Sequence, residues 1–279
     1  EGEVITEQTQ TVSNVQVMLT SPDKAYPVFV TTANGKFVFT DIPLGLDYTI
    51  TPQRNDDHRN GVSTLDLVRI QKHLLGLEVF TSPYQYIAAD ANNSKSVSAI
   101  DMIEIRKLIL GLQDGYTENQ SWRFVQKGTD MAPGNPWPFN EKIDLDYMDP
   151  ESGTAMDFIG VKIGDVNNSV KANAGQIMPR NAERNMHVKA FGKGNLEQGE
   201  EVEIEFEFPD VVSGFQWTME ISGLEFIDVA SEDILISRQN IGILDENILT
   251  MSWNGDIAES NLDQEGMSIK VKFKVTQSG

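Results

Sequence analysis

Asp90, Asn92, Ser94, Ser96 and Asp101 fall at positions 1, 3, 5, 7 and 12 of one short stretch of the sequence. That alternation suits a hard divalent cation such as calcium. Such an ion takes six to eight oxygens at about 2.3–2.6 Å, from side chains at alternate loop positions, one backbone carbonyl and a carboxylate in the first turn of a following helix. The same residue types also occur in ordinary turns, where Asp and Asn side chains bond to nearby backbone. Duplication separates the two readings, because this stretch is written twice.

At an offset of 35 residues Val62 falls on Val97, Ser63 on Ser98, Asp66 on Asp101, Ile70 on Ile105, Lys72 on Lys107 and Gly76 on Gly111. In each copy a polar loop runs into a helical pattern ending in Leu-Leu-Gly-Leu or Ile-Leu-Gly-Leu, with the glycine as C-cap. The first loop keeps Asn55 at position 1, Asp57 at 3 and Asp66 at 12 but puts Arg59 at 5. A guanidinium has no lone pair to offer and carries the wrong charge, so this loop is weak or empty on its own. Farther on, Gly164-Asp165-Val166-Asn167-Asn168-Ser169 repeats the Asp-x-Asn-x-Ser opening of the second loop with no helix behind it. The expectation is a split site in which Asp165 and Asn167 complete a cation shell with Asp57 and Asp66.

The doubled loop and helix over residues 54–112 resembles the duplicated calcium-binding unit of dockerin type I modules. The resemblance implies calcium as the bound ion and a pair of loop-helix elements used in extracellular protein–protein assembly.

Short β patterns flank this unit. Residues 1–53 contain the alternating Val15-Gln16-Val17-Met18-Leu19 and a hairpin signal at Asn34-Gly35. With Thr31 to Phe39, Ile42-Pro43-Leu44-Gly45 and Tyr48-Thr49-Ile50 they resemble the carboxypeptidase regulatory-like (transthyretin-like) domains, which are non-catalytic spacers. Residues 54–170 are read as the dockerin-like module with a β-containing tail. In that tail Trp122 and Trp137 are either a stacking platform for carbohydrate or packing beside a small helical unit. Residues 171–185 read as a linker.

From residue 186 to 279 the pattern is β throughout: Val202, Ile204, Phe206 and Phe208 alternate with Glu201, Glu203, Glu205 and Glu207. The runs Gln198 to Ile204, Val212 to Glu220, Leu224 to Ile227 and Ile269 to Val275 resemble a cohesin-type sandwich that stops early. The missing strand would come from chain beyond this segment or from a partner by edge addition. A dockerin-like and a cohesin-like part on one chain pair within a molecule, pair between molecules, or have ceased to pair; the sequence leaves all three open.

Composition narrows the functions. A formal charge of −20, with 42 acidic against 22 basic residues, argues against nucleic acid and anionic membrane surfaces as partners. Without cysteine there is neither a disulfide frame nor a thiolate metal site. No apolar run approaches a membrane span and Glu1 opens no signal peptide, so a mature or excised segment is expected. His58, His73 and His187 have no zinc spacing, and no nucleophile elbow, phosphate loop or dinucleotide fingerprint is present.

The expected fold is mainly β with a small α-helical calcium-binding module, two β-sandwich domains flanking the dockerin-like repeat. The expected function is a non-enzymatic, secreted or cell-surface assembly protein, with calcium as cofactor and other protein subunits or domains as partners. A filament or adhesion subunit joined by strand exchange, and a carbohydrate-binding or cellulosome-like scaffold component with polysaccharide as partner, are the alternatives.

Overall fold

The computed structural model describes residues 1–22, 24–146, 156–173, 187–191, 195–244, 247–255 and 266–277. The architecture is mainly β, with three α-helices among the described residues. Two compact units form: one from Glu1–Val62, Arg69–Glu104 and Gly115–Ile177, the other from Ser63–Val68, Ile105–Asp114 and Met178–Gly279.

In the first unit, β1 (Gly2–Ile5), β2 (Gln16–Ser21), β3 (Lys24–Ala25), β4 (Phe29–Val30), β5 (Lys36–Phe37) and β6 (Tyr48–Gln53) precede the helices. After them come β7 (Trp122–Gln126), β8 (Ile143–Leu145) and β9 (Phe158–Lys162). Period-two alternation turns Val17 and Leu19 of β2 and Tyr48 and Ile50 of β6 inward, where they are buried.

The strands assort into two sheets, ordered β5-β1-β9-β7 and β3-β2-β6-β8, with β4 also on β2. Val4, Val12, Val17, Phe37, Trp122, Phe124 and Phe158 share one core. The expected boundary between residues 53 and 54 is therefore not a structural one. The tail supplies β9 parallel to β1, with Val4 opposite Phe158, and β8 antiparallel to β6, with Ile50 opposite Ile143. Asn34-Gly35 does make a tight turn, in which the Gly35 amide donates to the Thr32 carbonyl at 2.8 Å. Its flanking strands part company, however: β4 pairs with β2 and β5 with β1.

The repeat folds as α1 (Thr64–Leu74) and α3 (Ala99–Ile109), with α2 (Pro83–Ala89) between them. Both repeat helices end in the same way. The Gly76 amide donates to the His73 carbonyl and Leu77 to Lys72, at 3.0 and 2.9 Å; Gly111 donates to Leu108 and Leu112 to Lys107, at 3.1 and 2.9 Å. Each glycine sits at positive φ, 72° and 75°. These are paired C-terminal caps in which only glycine is unstrained.

In the second unit, β10 (His187–Phe191), β11 (Glu201–Phe208), β16 (Met267–Val275) and β13 (Leu224–Ala230) form one sheet in that order. A second sheet has β12 (Gly214–Glu220), β15 (Ile248–Asn254) and β14 (Ile241–Leu244), with β15 in the middle. Val202, Phe206, Leu249, Met251, Ile269, Val271 and Phe273 fill the core between them. The acidic row of β11 lies beside a basic row on β16, with Glu201 opposite Lys274, Glu203 opposite Lys272 and Glu205 opposite Lys270. Cross-strand opposite charges of this kind support the pairing rather than leave a bare acidic face.

The ends of the repeat helices belong to this unit. The Thr64 amide donates to Gln216 Oε1 at 2.8 Å, the Thr64 hydroxyl pairs with Ser252 Oγ at 2.8 Å, and the Thr250 hydroxyl donates to the Leu110 carbonyl at 2.7 Å. Residues 174–185 of the expected linker lie outside the described residues. Residues 171–173 are held by the first unit, since the Ser13 amide donates to Asn173 Oδ1 at 3.0 Å and Arg54 donates to the Ala172 carbonyl at 3.0 Å.

Candidate metal centre

The loop over residues 90–101 is closed by its own carboxylates. Asp90 Oδ1 accepts the Ser94 amide at 2.7 Å and Oδ2 accepts Lys95 at 3.0 Å. Asp101 Oδ2 accepts the Ser98 amide at 2.8 Å, and Oδ1 accepts Asn92 at 3.1 Å, which draws positions 3 and 12 together. Asn93 and Lys95 adopt positive φ, 57° and 67°, and so fold the loop tightly. The hydroxyls of Ser94 and Ser96 lie 3.0 Å apart on the same loop.

Asp90 is 2% exposed and Asp101 is fully buried. Burial pushes the Asp90 carboxyl up from its ordinary range, and the Asp101 charge adds to the shift against the opposing pull of the Lys95 and Ser94 amides and the Lys95 charge. The Lys95 ammonium itself donates to Asn93 Oδ1 at 2.7 Å. Two buried carboxylates with neutral oxygens between them are costly without a cation and are a fitting shell for one. The donor set is oxygen alone, which suits calcium over softer metals. Among the described residues no group of three or more His, Cys, Asp or Glu is placed to hold a metal. This loop offers two carboxylates and takes its remaining oxygens from Asn and Ser.

The first loop divides its residues differently. Asn55 Oδ1 accepts the Ser121 amide and Asp57 Oδ2 accepts the Asn60 side chain, both at 2.8 Å. Asp66, fully buried at the head of α1, accepts the Ser63 amide and hydroxyl at 2.8 and 2.9 Å, just as Asp101 accepts those of Ser98 at 2.8 and 3.0 Å. The second half of the loop thus keeps the repeat's geometry while the side chains of its first half serve other bonds.

Sequence reasoning missed Lys162, which ends β9 and is 3% exposed. Its ammonium donates to the His58 carbonyl at 3.0 Å. Burial pushes it down to about 7; Asp57 opposes that most strongly, Arg54 reinforces it, and Asp165 and Asp56 oppose it. An apolar strand that ends in lysine just before Ile-Gly-Asp was the available signal.

Asp165 is 3% exposed and packs in the first unit against the first loop. Its Oδ1 accepts the Ser169 amide at 3.0 Å, its Oδ2 accepts Val170 at 2.7 Å, and the Ser169 hydroxyl donates to the Gly61 carbonyl at 3.0 Å. Gly61 has φ of 83°, and a Cβ there would lie 2.7 Å from Asp165 Oδ2. Asn167, the other expected ligand here, lies two residues along the same turn.

The tryptophans do not form an open platform. Trp122 is 1% exposed, with the Arg54 guanidinium 5.2 Å and the Lys162 ammonium 5.9 Å from its ring centre. That is core packing with two cations on the ring, and no ring face is left for a sugar. Trp137 is half-buried. No helix among the described residues is long and apolar enough to cross a membrane. Comparison with known proteins finds no matching family model, no matching curated relative and no matching solved structure.

Proposed function

We propose that this chain is a non-enzymatic structural and assembly protein of the cell surface or secreted space, stabilised by calcium on the loop over residues 90–101. The observation that carries the reading is the burial of Asp90 and Asp101 in a loop that also brings together the neutral oxygens of Asn92, Ser94 and Ser96. Calcium there neutralises the pair and fixes the start of α3 against α2. Extracellular calcium is abundant enough to fill loops with Kd as weak as about 10⁻⁴–10⁻³ M. The loop-helix unit resembles a dockerin module and the C-terminal sandwich a cohesin, and such parts serve protein–protein assembly. The bonds from Thr64 and Leu110 to the β12-β15-β14 sheet favour pairing within one chain.

Metal analysis after dialysis, with thermal melting in calcium and in chelator, tests the reading. Bound calcium that Asp90→Ala reduces by one ion, with a lower melting temperature in chelator, is the expected result. No bound ion and identical melting would overturn it.

A further inference from the structure

The first unit carries an open cleft of about 650 Å³ between the end of β6, residues 51–53, the segment over 116–120 and the strand β7. Small-ligand sites fall at about 300–1,000 Å³. β7 turns bare backbone toward this space. The Lys127 amide donates to the Asp157 carbonyl at 2.9 Å and the Ile163 amide to the Ser121 carbonyl at 3.0 Å, so the odd-numbered residues of β7 are those that bond to β9. Trp122, Phe124 and Gln126 therefore point their N–H and C=O groups away from β9. The Gln126 amide is taken by the Asn140 carbonyl at 3.0 Å, and at the other end of the strand Asn55 Oδ1 takes the Ser121 amide at 2.8 Å. Between these two stops the outward backbone groups of Trp122 and Phe124 have no partner among the described residues.

The Trp122 indole adds another donor. Its ring is buried, and its Nε1 has no hydrogen-bond partner among the described residues. A Cβ on Gly160 of β9 would lie 3.4 Å from Cε3 and Cζ3 of that ring, so the N–H is on the edge turned away from β9. A buried N–H left unmade is costly, and a ligand hydroxyl answers it. The side chains of Gln53, exposed, and Gln120, half-buried, line the same cleft and bond to no protein group among the described residues. Arg123 is already engaged, its Nη2 donating to Glu141 Oε2 and its Nη1 to Asn93 Oδ1, both at 2.8 Å. Its charge is thus neutralised in place, and Glu118 at the exposed rim adds a negative one. The lining repels acidic ligands and suits a neutral one that both donates and accepts. A peptide strand fits less well, because the open edge from Trp122 to Phe124 spans about 7 Å. The rings that could anchor its side chains, Trp122 and Phe124, are buried in the core.

We infer that this cleft binds a short neutral oligosaccharide, held by hydrogen bonds to the Gln53 and Gln120 side chains and to the open backbone of β7 rather than by a stacked ring. A sugar hydroxyl donates and accepts at once, so neighbouring hydroxyls serve the Phe124 N–H and C=O together. Asn93 belongs both to this wall and to the loop over 90–101, so calcium is held constant in the test.

Saturation-transfer NMR and isothermal titration of the full chain in calcium buffer use the neutral trisaccharides maltotriose, cellotriose, xylotriose and mannotriose. Trigalacturonate and an alternating threonine-valine tetrapeptide serve as the acidic and peptide probes. At least one neutral sugar should bind, while trigalacturonate and the peptide should not. Gln53→Ala and Gln120→Ala should each weaken binding about three- to tenfold, the worth of one neutral hydrogen bond. Neither side chain bonds to protein, so both variants should melt with the starting protein. If either melts earlier, Thr117→Trp, at an exposed position on the cleft, supplies the decision: it fills the space and should abolish binding. No binding by any of the four sugars, or binding that all three variants leave unchanged, overturns the site. Trigalacturonate binding as tightly as the neutral sugars overturns the neutral class. Peptide binding that the variants weaken, without sugar binding, replaces the site by strand addition. Calcium on the 90–101 loop is read by its own ion count and stands or falls separately.

Discussion

His73 shows how one side chain can report on the repeat. It stands on α1 where the second copy has Leu108, and it stacks on Phe80 with ring centres 4.0 Å apart and planes 3° from parallel. Its Nδ1 accepts the Phe80 amide at 3.1 Å, so the neutral imidazole is the form that fits. Burial lowers its pKa from the ordinary 6.5. The unfolded chain therefore binds the proton more readily, and stability falls as pH falls. The contribution is full above about 6.5, is lost as pH drops through the lowered folded value, and is flat below that. Melting temperatures in calcium should decline between pH 7 and pH 5, and His73→Leu should remove that part of the slope. An unchanged slope in the variant would show that other groups titrate instead. At this scale the sequence was informative about which residues carry oxygen and silent about which pairs they form. Asp57 and Asp165 both look like ligands on paper, and only the packing gives Asp57 to Asn60 and Asp165 to the Gly61 turn.

Local chemistry made some elements legible and hid others. The two glycine caps were readable because a Schellman end needs glycine at one fixed place, and both copies show the same pair of bonds. A Cβ on Gly76 would meet nothing within 4 Å, so Gly76→Ala isolates the cost of positive φ from any clash. That cost is about 1–2 kcal/mol. Denaturant unfolding in saturating calcium should show a loss of this size with an unchanged m value; a neutral result would mean the cap relaxes to another geometry. Helix α2 was missed although its start was written in the chain. Ser82 is the N-cap, its hydroxyl accepting the Tyr84 amide at 3.2 Å; Pro83 follows at the first helical position, and the Gln85 side chain accepts the Ser82 amide at 3.2 Å. Seven residues give too few turns for apolar periodicity to show, so the capping signal was the one to read. At Asn34-Gly35 the turn was legible, but where its strands go was not, because turn chemistry fixes the bend and not the partner.

Across the whole molecule, long-range pairing sets the boundaries and no local signal announces it. β1 lies beside β9 and β6 beside β8, so an N-terminal piece and a tail that look separable in sequence share one core. The same holds for the C-terminal sandwich, whose compact unit takes in Ser63–Val68 and Ile105–Asp114. Two glycines make that association close. A Cβ at Gly214 would lie 2.9 Å from Val68 Cγ2 and 3.0 Å from Thr64 Cγ2, and one at Gly242 would lie 2.7 Å from the Leu110 carbonyl. A side chain at Gly214 therefore pushes Thr64 and Val68 off the β12-β15-β14 sheet and weakens the bonds from Thr64 to Gln216 and Ser252. Calcium that orders the loop-helix repeat should, in the intact chain, also raise the melting temperature of the sandwich. At about a hundredfold excess over Kd a site that binds only the folded state adds roughly 2.7 kcal/mol to whatever unfolds with it. Scanning calorimetry of the starting protein should thus show the sandwich transition moving with calcium. In Gly214→Val the sandwich should melt at a temperature that no longer depends on calcium, even if that temperature is itself lower. If the sandwich transition moves with calcium in neither protein, the repeat and the sandwich unfold independently; if it moves equally in both, the helix-end contacts do not transmit the ion's stabilisation.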